Sequence, residues 1–299
     1  MSKIDFGWFV PPLGIAESGF VPLAIYQQER ILPAVVAHFD SLWVPDHLYA
    51  FDNPAEPFLE CWTTITWLAA RFPGVRLGPI VLAVGFRNPA LLAKMAATLQ
   101  ALSGGRFIMG IGAGWREVEY GTYGYDFPRT AIRIKQLADG LEIMCRMWTE
   151  DGPSFEGEYY RIAGAYCAPR PDPAPPLMIG GSGEQLMLPL IARYADIWDR
   201  FHGGNYDTVD MAAYTRKRDL LHGHAAARGR DPASIRQSLT LGGARLPDST
   251  GDSARWVDHL QPLIDAGVRQ FILDCGHVAS TDPVLRFAEE VIYPLNSGG

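Results

Sequence analysis

No two cysteines of this 299-residue chain stand in a CxxC spacing; Cys61, Cys145, Cys167 and Cys275 are scattered along its length. Zinc sites and disulfide frameworks need close, repeated spacings, so the four read as reduced thiols and no metal site is predicted. Positive charge is also scarce. The formal net charge is -7 and the longest basic run is Arg216-Lys217-Arg218. Binding a phosphate backbone requires many lysines and arginines, so nucleic acid is excluded as a partner. Long hydrophobic runs are missing as well: Leu77 to Phe86, the longest, is about half of the ~20 residues a spanning helix needs. The N-terminus carries no charged-then-apolar leader. The expectation is a cytoplasmic protein without a membrane partner. His222 and His224 stand two apart on a predicted helix, where such residues point in different directions; they read as a surface pair.

Apolar material is plentiful. With 48% hydrophobic and 20% charged residues, the chain can bury a large core and lacks the composition of a disordered segment. Its length exceeds that of most domains, but α/β barrels run to ~250 residues or more as one unit. Residues 1–299 are therefore read as a single domain.

Short β-branched or apolar runs alternate with stretches of helical period, which is the pattern of repeated βα units around a parallel sheet. Eight strands are predicted, near Ile4–Val10, Ser41–Val44, Val75–Val81, Phe107–Gly110, Leu177–Ile179, Ile197–Trp198, Ser238–Leu241 and Gln270–Leu273. Helices are expected over Pro89–Leu102, Ile132–Trp148, Gln185–Tyr194, Ala254–Ile264 and Val284–Ile292, from apolar positions three and four apart. The fold class is α/β, one TIM (β/α)8 barrel. Asp151 to Pro176 interrupts it between strands four and five with six prolines. This insertion, with a small hairpin over Phe155–Tyr160, is a candidate functional loop.

Active sites of such barrels lie at the C-terminal strand ends. Asp46-His47 follows strand two, Gly110-Ile111-Gly112-Ala113-Gly114-Trp115 follows strand four, Gly180-Gly181-Ser182-Gly183 follows strand five, and Asp199, Arg200 and His202 follow strand six. Histidine changes charge near neutral pH, which makes His47 the leading catalytic candidate, with Asp46 able to orient it; capping local backbone is the competing role. The Gly180 loop is either a phosphate cradle, since glycines let backbone amides approach an anion, or a tight turn. Gly110-x-Gly-x-Gly lacks the GxGxxG spacing of a dinucleotide fingerprint. Trp8, Trp43 and Trp115 can wall a flat ligand or pack in the core.

In these residues the chain resembles the bacterial luciferase-like superfamily, above all its coenzyme F420-dependent branch. The resemblance rests on Asp40 to Leu48, Arg87-Asn88-Pro89 through Leu102-Ser103-Gly104-Gly105-Arg106, Gly110 to Trp115 with Glu119-Tyr120, Tyr123-Gly124, Phe155-x-Gly-x-x-Tyr160, Pro175 to Gly181 and Ala192 to Asp196. It covers about two thirds of the sequence and fades after Arg200. It implies a barrel that holds F420, or alternatively FMN, and moves a hydride to or from a small organic substrate, with His47 as catalytic residue. Asp46, His47, Ile80, Val81, Asn88, Gly112, Ala113, Gly180, Gly181, Ser182 and Gly183 would surround the cofactor, and Trp8, Trp43 and Trp115 the substrate. It further implies a non-prolyl cis peptide near Ile80 and Val81, and a homodimer. One departure stands out: the sugar-phosphate dehydrogenase branch has a glutamate where this chain has Ala113, and a methyl group cannot serve as an acid. Glu117 and Glu119 lie nearby without matching its position. The alternatives to an F420-dependent enzyme are an FMN-dependent monooxygenase using reduced flavin and O2, and a non-catalytic flavin-binding barrel.

Overall fold

The computed structural model describes residues 3–11, 27–51, 53–203 and 206–297. Its barrel strands are β1 (Asp5–Phe9), β2 (Ser41–Val44), β3 (Arg76–Pro79, resuming at Leu82–Ala83), β4 (Met109–Gly112), β5 (Leu177–Gly180), β6 (Ile197–His202), β7 (Arg236–Leu241) and β8 (Val268–Leu273). All pair in parallel, in the order β3, β2, β1, β8, β7, β6, β5, β4 and back to the second half of β3. Leu77 and Phe107 bridge the seam, where Ile108 N donates to Leu77 O at 2.9 Å. The result is the expected closed TIM barrel. Around it run α1 (Leu32–His38), α2 (Cys61–Arg71), α3 (Pro89–Leu102), α4 (Glu117–Thr122), α5 (Thr130–Thr149), α6 (Met187–Tyr194), α7 (Met211–Ala226), α8 (Thr250–Asp265) and α9 (Asp282–Phe287). No helix among the described residues is long and apolar enough to cross a membrane.

Strand alternation sorts the large side chains. Phe6 and Trp8 of β1 face the helices, and Trp8 packs edge-on against Phe39 at 5.4 Å. Trp43 faces inward with Ile108, Met178, Ile197 and Ile272. Its indole lies over the two strands beside its own, where Gly7 of β1 and Gly78 of β3 leave room: a Cβ on either would lie 2.5 or 2.8 Å from the ring. Neither Trp8 nor Trp43 exposes any surface. These two candidate pocket walls are therefore core residues, and only parity along the strand separates their two roles.

A polar layer joins this interior. Asp199 of β6 is buried and accepts hydrogen bonds from Ser238 Oγ at 2.8 Å and Thr240 Oγ1 at 3.0 Å. Burial pushes its carboxyl up to about 6 against those two bonds, which pull it down. A carboxyl with a raised pKa in the folded chain stabilises the fold fully below its unfolded pKa, near 3.8, and that stabilisation is lost as pH climbs through about 6. Asp199→Asn carries no charge at any pH. It should stabilise the fold at pH 8 by on the order of 2–3 kcal/mol at ~1.4 kcal/mol per pKa unit, seen as a higher melting temperature, with a far smaller rise at pH 4. Equal shifts at both pH values would contradict the burial argument.

Three of the shifted boundaries change where candidate residues sit. β4 begins two residues late, so Gly110 and Gly112 lie inside the strand, where it passes so close to β3 that a Cβ on Gly110 would meet Pro79 O at 1.9 Å. β6 extends to His202, which places Asp199, Arg200 and His202 within the strand. The hairpin pairs Phe155–Glu156 with Arg161–Ile162, further along than predicted.

The insertion packs along two of the helices. It leaves α5 and climbs that helix, with Tyr159 N and Tyr160 N donating to Asp139 Oδ2 at 2.7 and 3.2 Å and Glu158 paired to Lys135. Its return is tied to α3, where Gln100 Nε2 donates to Pro173 O at 3.0 Å. Ala168-Pro169 and Asp172-Pro173 are cis. The prolines therefore mark a strap over two helices.

Candidate active site

The β2 strand ends in two adjacent side chains with separate duties. Asp46 turns into the protein: Arg87 Nη1 and Nη2 donate to its two oxygens at 2.9 Å each, and Ala83 N donates to Oδ2 at 2.9 Å. Arg87 also reaches Glu60 at 2.6 Å. This clamp ties β2 to the resumed half of β3, next to the Ile80–Val81 peptide bond, which is cis as the resemblance implies. Ile80 N donates to Val44 O at 2.9 Å. Asp46 thus braces the backbone, and the orienting role expected of it falls to another residue.

That residue is Glu119 of α4. Its carboxylate, 1% exposed, accepts from His47 Nδ1 at 2.9 Å, Arg116 Nη1 at 2.7 Å and Leu48 N at 3.1 Å. Burial alone would raise the Glu119 carboxyl, but the bonds from His47, Leu48 and Arg116 outweigh it and hold the group below its ordinary range. An ionised partner at Nδ1 fixes the proton there and leaves Nε2 as the working nitrogen. Nε2 has no hydrogen-bond partner among the described residues, and the His47 side chain keeps 15% of its surface open.

Aromatic rings box the histidine. Phe51 and Trp115 meet it edge-on at 4.7 and 5.6 Å and stack on each other at 6.0 Å. The Arg116 guanidinium lies 4.3 Å from the Phe51 ring and 4.6 Å from that of Tyr49, close enough for cation–π attraction. Trp115, 65% exposed, is the one predicted pocket tryptophan at the barrel mouth.

Val81 packs against the top of the interior core. A Cβ on Gly112 or Gly180 would come within 2.9 or 3.0 Å of its methyls, so these two glycines, with Ala113 next to Gly112, let three strands converge beside the cis peptide. Asn88 is otherwise engaged: its Oδ1 caps α3, accepting from Ala90 N and Leu91 N at 3.0 and 3.3 Å.

After β5, Gly181 has φ +143°, and a Cβ there would strike Met187 at 2.9 Å. Its own N–H is taken by Asp199 O at 3.1 Å. Among the described residues the next two amides, of Ser182 and Gly183, have no hydrogen-bond acceptor. Lys217 Nζ stands 3.2 Å from Ser182 Oγ.

The site as read from sequence lacked Glu119, Arg116, Phe51 and Lys217. Only Glu119 had a signal, the missing glutamate at position 113. Burial pushes the Cys61, Cys145, Cys167 and Cys275 thiols up, so none is a nucleophile at neutral pH.

A family model for luciferase-like monooxygenases matches residues 26–272. The F420-dependent glucose-6-phosphate dehydrogenase of Intrasporangium calvum is 38% identical over 165 residues, covering 52% of this chain and 46% of its own. The phthiodiolone/phenolphthiodiolone dimycocerosates ketoreductase of Mycobacterium tuberculosis is 30% identical over 244 residues, covering 74% and 61%. The chain thus spans about half the length of the dehydrogenase it matches. Among solved structures, an F420-dependent secondary alcohol dehydrogenase in complex with an F420-acetone adduct is 18% identical with a TM-score of 0.78, over 97% of this chain and 98% of that one. An EDTA monooxygenase from a Chelativorans species is 16% identical with a TM-score of 0.78, over 99% and 94%. At these identities the structural likeness speaks for the barrel alone. The family match extends over most of the sequence, and the chain belongs to the luciferase-like monooxygenase family.

Proposed function

We propose that the chain is an oxidoreductase that uses coenzyme F420 to move a hydride to or from a small organic molecule, acting in the cytoplasm as a homodimer. The observation that carries the reading is the His47–Glu119 pair, a titratable ring locked on one side by a buried carboxylate and open on the other. F420-dependence is supported by the names of the dehydrogenase relatives; the homodimer rests on the resemblance alone.

Support for a bound cofactor comes from the loops at the mouth. Three glycines keep the ground around Val81 and Met187 clear of Cβ atoms, and among the described residues the Ser182 and Gly183 amides have no acceptor, as an anion cradle requires. When bound, the deazaflavin ring supplies or takes the hydride. The chain's own work is the proton: His47 Nε2 accepts it from a substrate hydroxyl or returns it to a carbonyl, while Glu119 keeps the ring in one tautomer and offsets its positive charge. Phe51 and Trp115 narrow the approach and displace water from that nitrogen. A sugar phosphate is not the proposed substrate, because Ala113 replaces the acid and because Arg87 and Arg116 are committed to Asp46 and Glu119. The aromatic rim favours an uncharged, largely apolar molecule.

Titrating the chain separately with F420 and FMN, followed by absorbance, tests the reading. F420 is expected to bind more tightly. Tighter binding of FMN would turn the assignment to an FMN-dependent monooxygenase, and binding without turnover of any substrate would leave a flavin-binding barrel.

A further inference from the structure

The basic run Arg216-Lys217-Arg218 is divided by the geometry of α7 into three separate tasks. Arg216 pairs with Glu184 at 2.6 Å. Arg218 pairs with Asp219 and donates to Ala266 O at 2.8 Å. Lys217, half-buried between them, has no carboxylate partner among the described residues; its ammonium meets only the neutral Ser182 hydroxyl, at 3.2 Å. A partly desolvated cation without a counter-ion is poorly satisfied, and this one borders the unaccepted amides of Ser182 and Gly183. Glu184, the nearby carboxylate that would repel an anion, is occupied by Arg216. The Ser182 hydroxyl and the Lys217 ammonium thus stand together beside two amides that have no acceptor among the described residues, and the corner lacks a negative charge.

We propose that Lys217 supplies the counter-charge for the cofactor's phosphate, so that the helix after β6 completes a cradle whose backbone comes from the loop after β5. The inference rests on the F420 or FMN reading given above. It assigns the division of labour: Gly181 keeps the space open, Ser182 and Gly183 donate hydrogen bonds, and Lys217 selects the phosphorylated form of the ring compound over its phosphate-free core. A lysine suits this duty, since a rotatable ammonium serves a phosphate as a point charge.

The test compares dissociation constants of the parent and of Lys217→Met for FMN against riboflavin, and for F420 against its phosphate-free deazariboflavin core, by fluorescence titration at two salt concentrations. Losing a hydrogen bond to a charged group corresponds to roughly a 10- to 100-fold loss of affinity. That loss is expected for FMN and F420 alone, with riboflavin and the deazariboflavin core unchanged, with Lys217→Arg recovering part of it, and with a weaker salt dependence in Lys217→Met. Unchanged affinity for FMN and F420 overturns the proposal, and so does an equal loss for both members of each pair, which would mark Lys217 as a packing residue. Gly181→Val serves as the second arm. If it weakens phosphate-bearing ligands while Lys217→Met does not, the loop holds the phosphate and the assignment of Lys217 fails; if neither variant does, the cradle itself falls.

Discussion

Replacing His47 with alanine is expected to lower turnover by the ~10²–10⁴-fold that loss of a general acid or base costs, while the fold survives. Every described contact of the ring points to one working orientation. Nδ1 is taken by Glu119, the stacked pair Phe51 and Trp115 packs against the ring, and Nε2 remains. Survival of the fold follows because Glu119 keeps Arg116 and the Leu48 amide after the imidazole is gone, so no buried carboxylate is left without a partner. Glu119→Gln should be milder in rate. It removes the buried charge that fixes the proton on Nδ1, but its side-chain amide can still hydrogen-bond the ring. Steady-state rates and a melting curve for each variant provide the check. An unchanged rate in His47→Ala would return the histidine to a structural role.

The largest stability effect is expected at Arg87. Its guanidinium grips both Asp46 oxygens and reaches Glu60, and the Asp46 side chain is 1% exposed. Removing one member of a buried ion pair strands the other, at a cost of about 3–5 kcal/mol. Arg87→Met should therefore lower the melting temperature by roughly 10 °C, at ~2–4 °C per kcal/mol for a chain of this size class. Asp46→Asn combined with Arg87→Met should recover part of the loss, since the asparagine has no charge to strand and its carbonyl can still accept from Ala83 N. Additive losses in the double variant would show that the two side chains do not act as a unit.

Much of this architecture could be read from the chain. Ser41–Val44 and Pro89–Leu102 have their predicted bounds because a β-branched or apolar run ends at proline in one case, and proline opens a helical period in the other. His47 was legible for a similar local reason, since it follows a strand end. What stayed hidden depended on direction or distance. Asp46 adjoins His47 in sequence, yet its carboxylate turns toward Arg87. Glu119 is 72 residues from His47, and the two meet because β2, β3 and β4 lie side by side in the sheet. Trp43 and Trp115 share a residue type, but strand parity turns the first into the barrel interior and a loop puts the second at the rim. Lys217 stood out only as part of the longest basic run, because its partner lies on a distant strand–helix loop.

The indole of Trp43 has a consequence for the residues that flank it. With that ring laid over the two strands beside its own, Gly7 on one side and Gly78 on the other have no room for a side chain. A side chain at either glycine would collide with the indole. Three positions far apart in sequence thus form one mutational unit, in which a change at one constrains what the others can be.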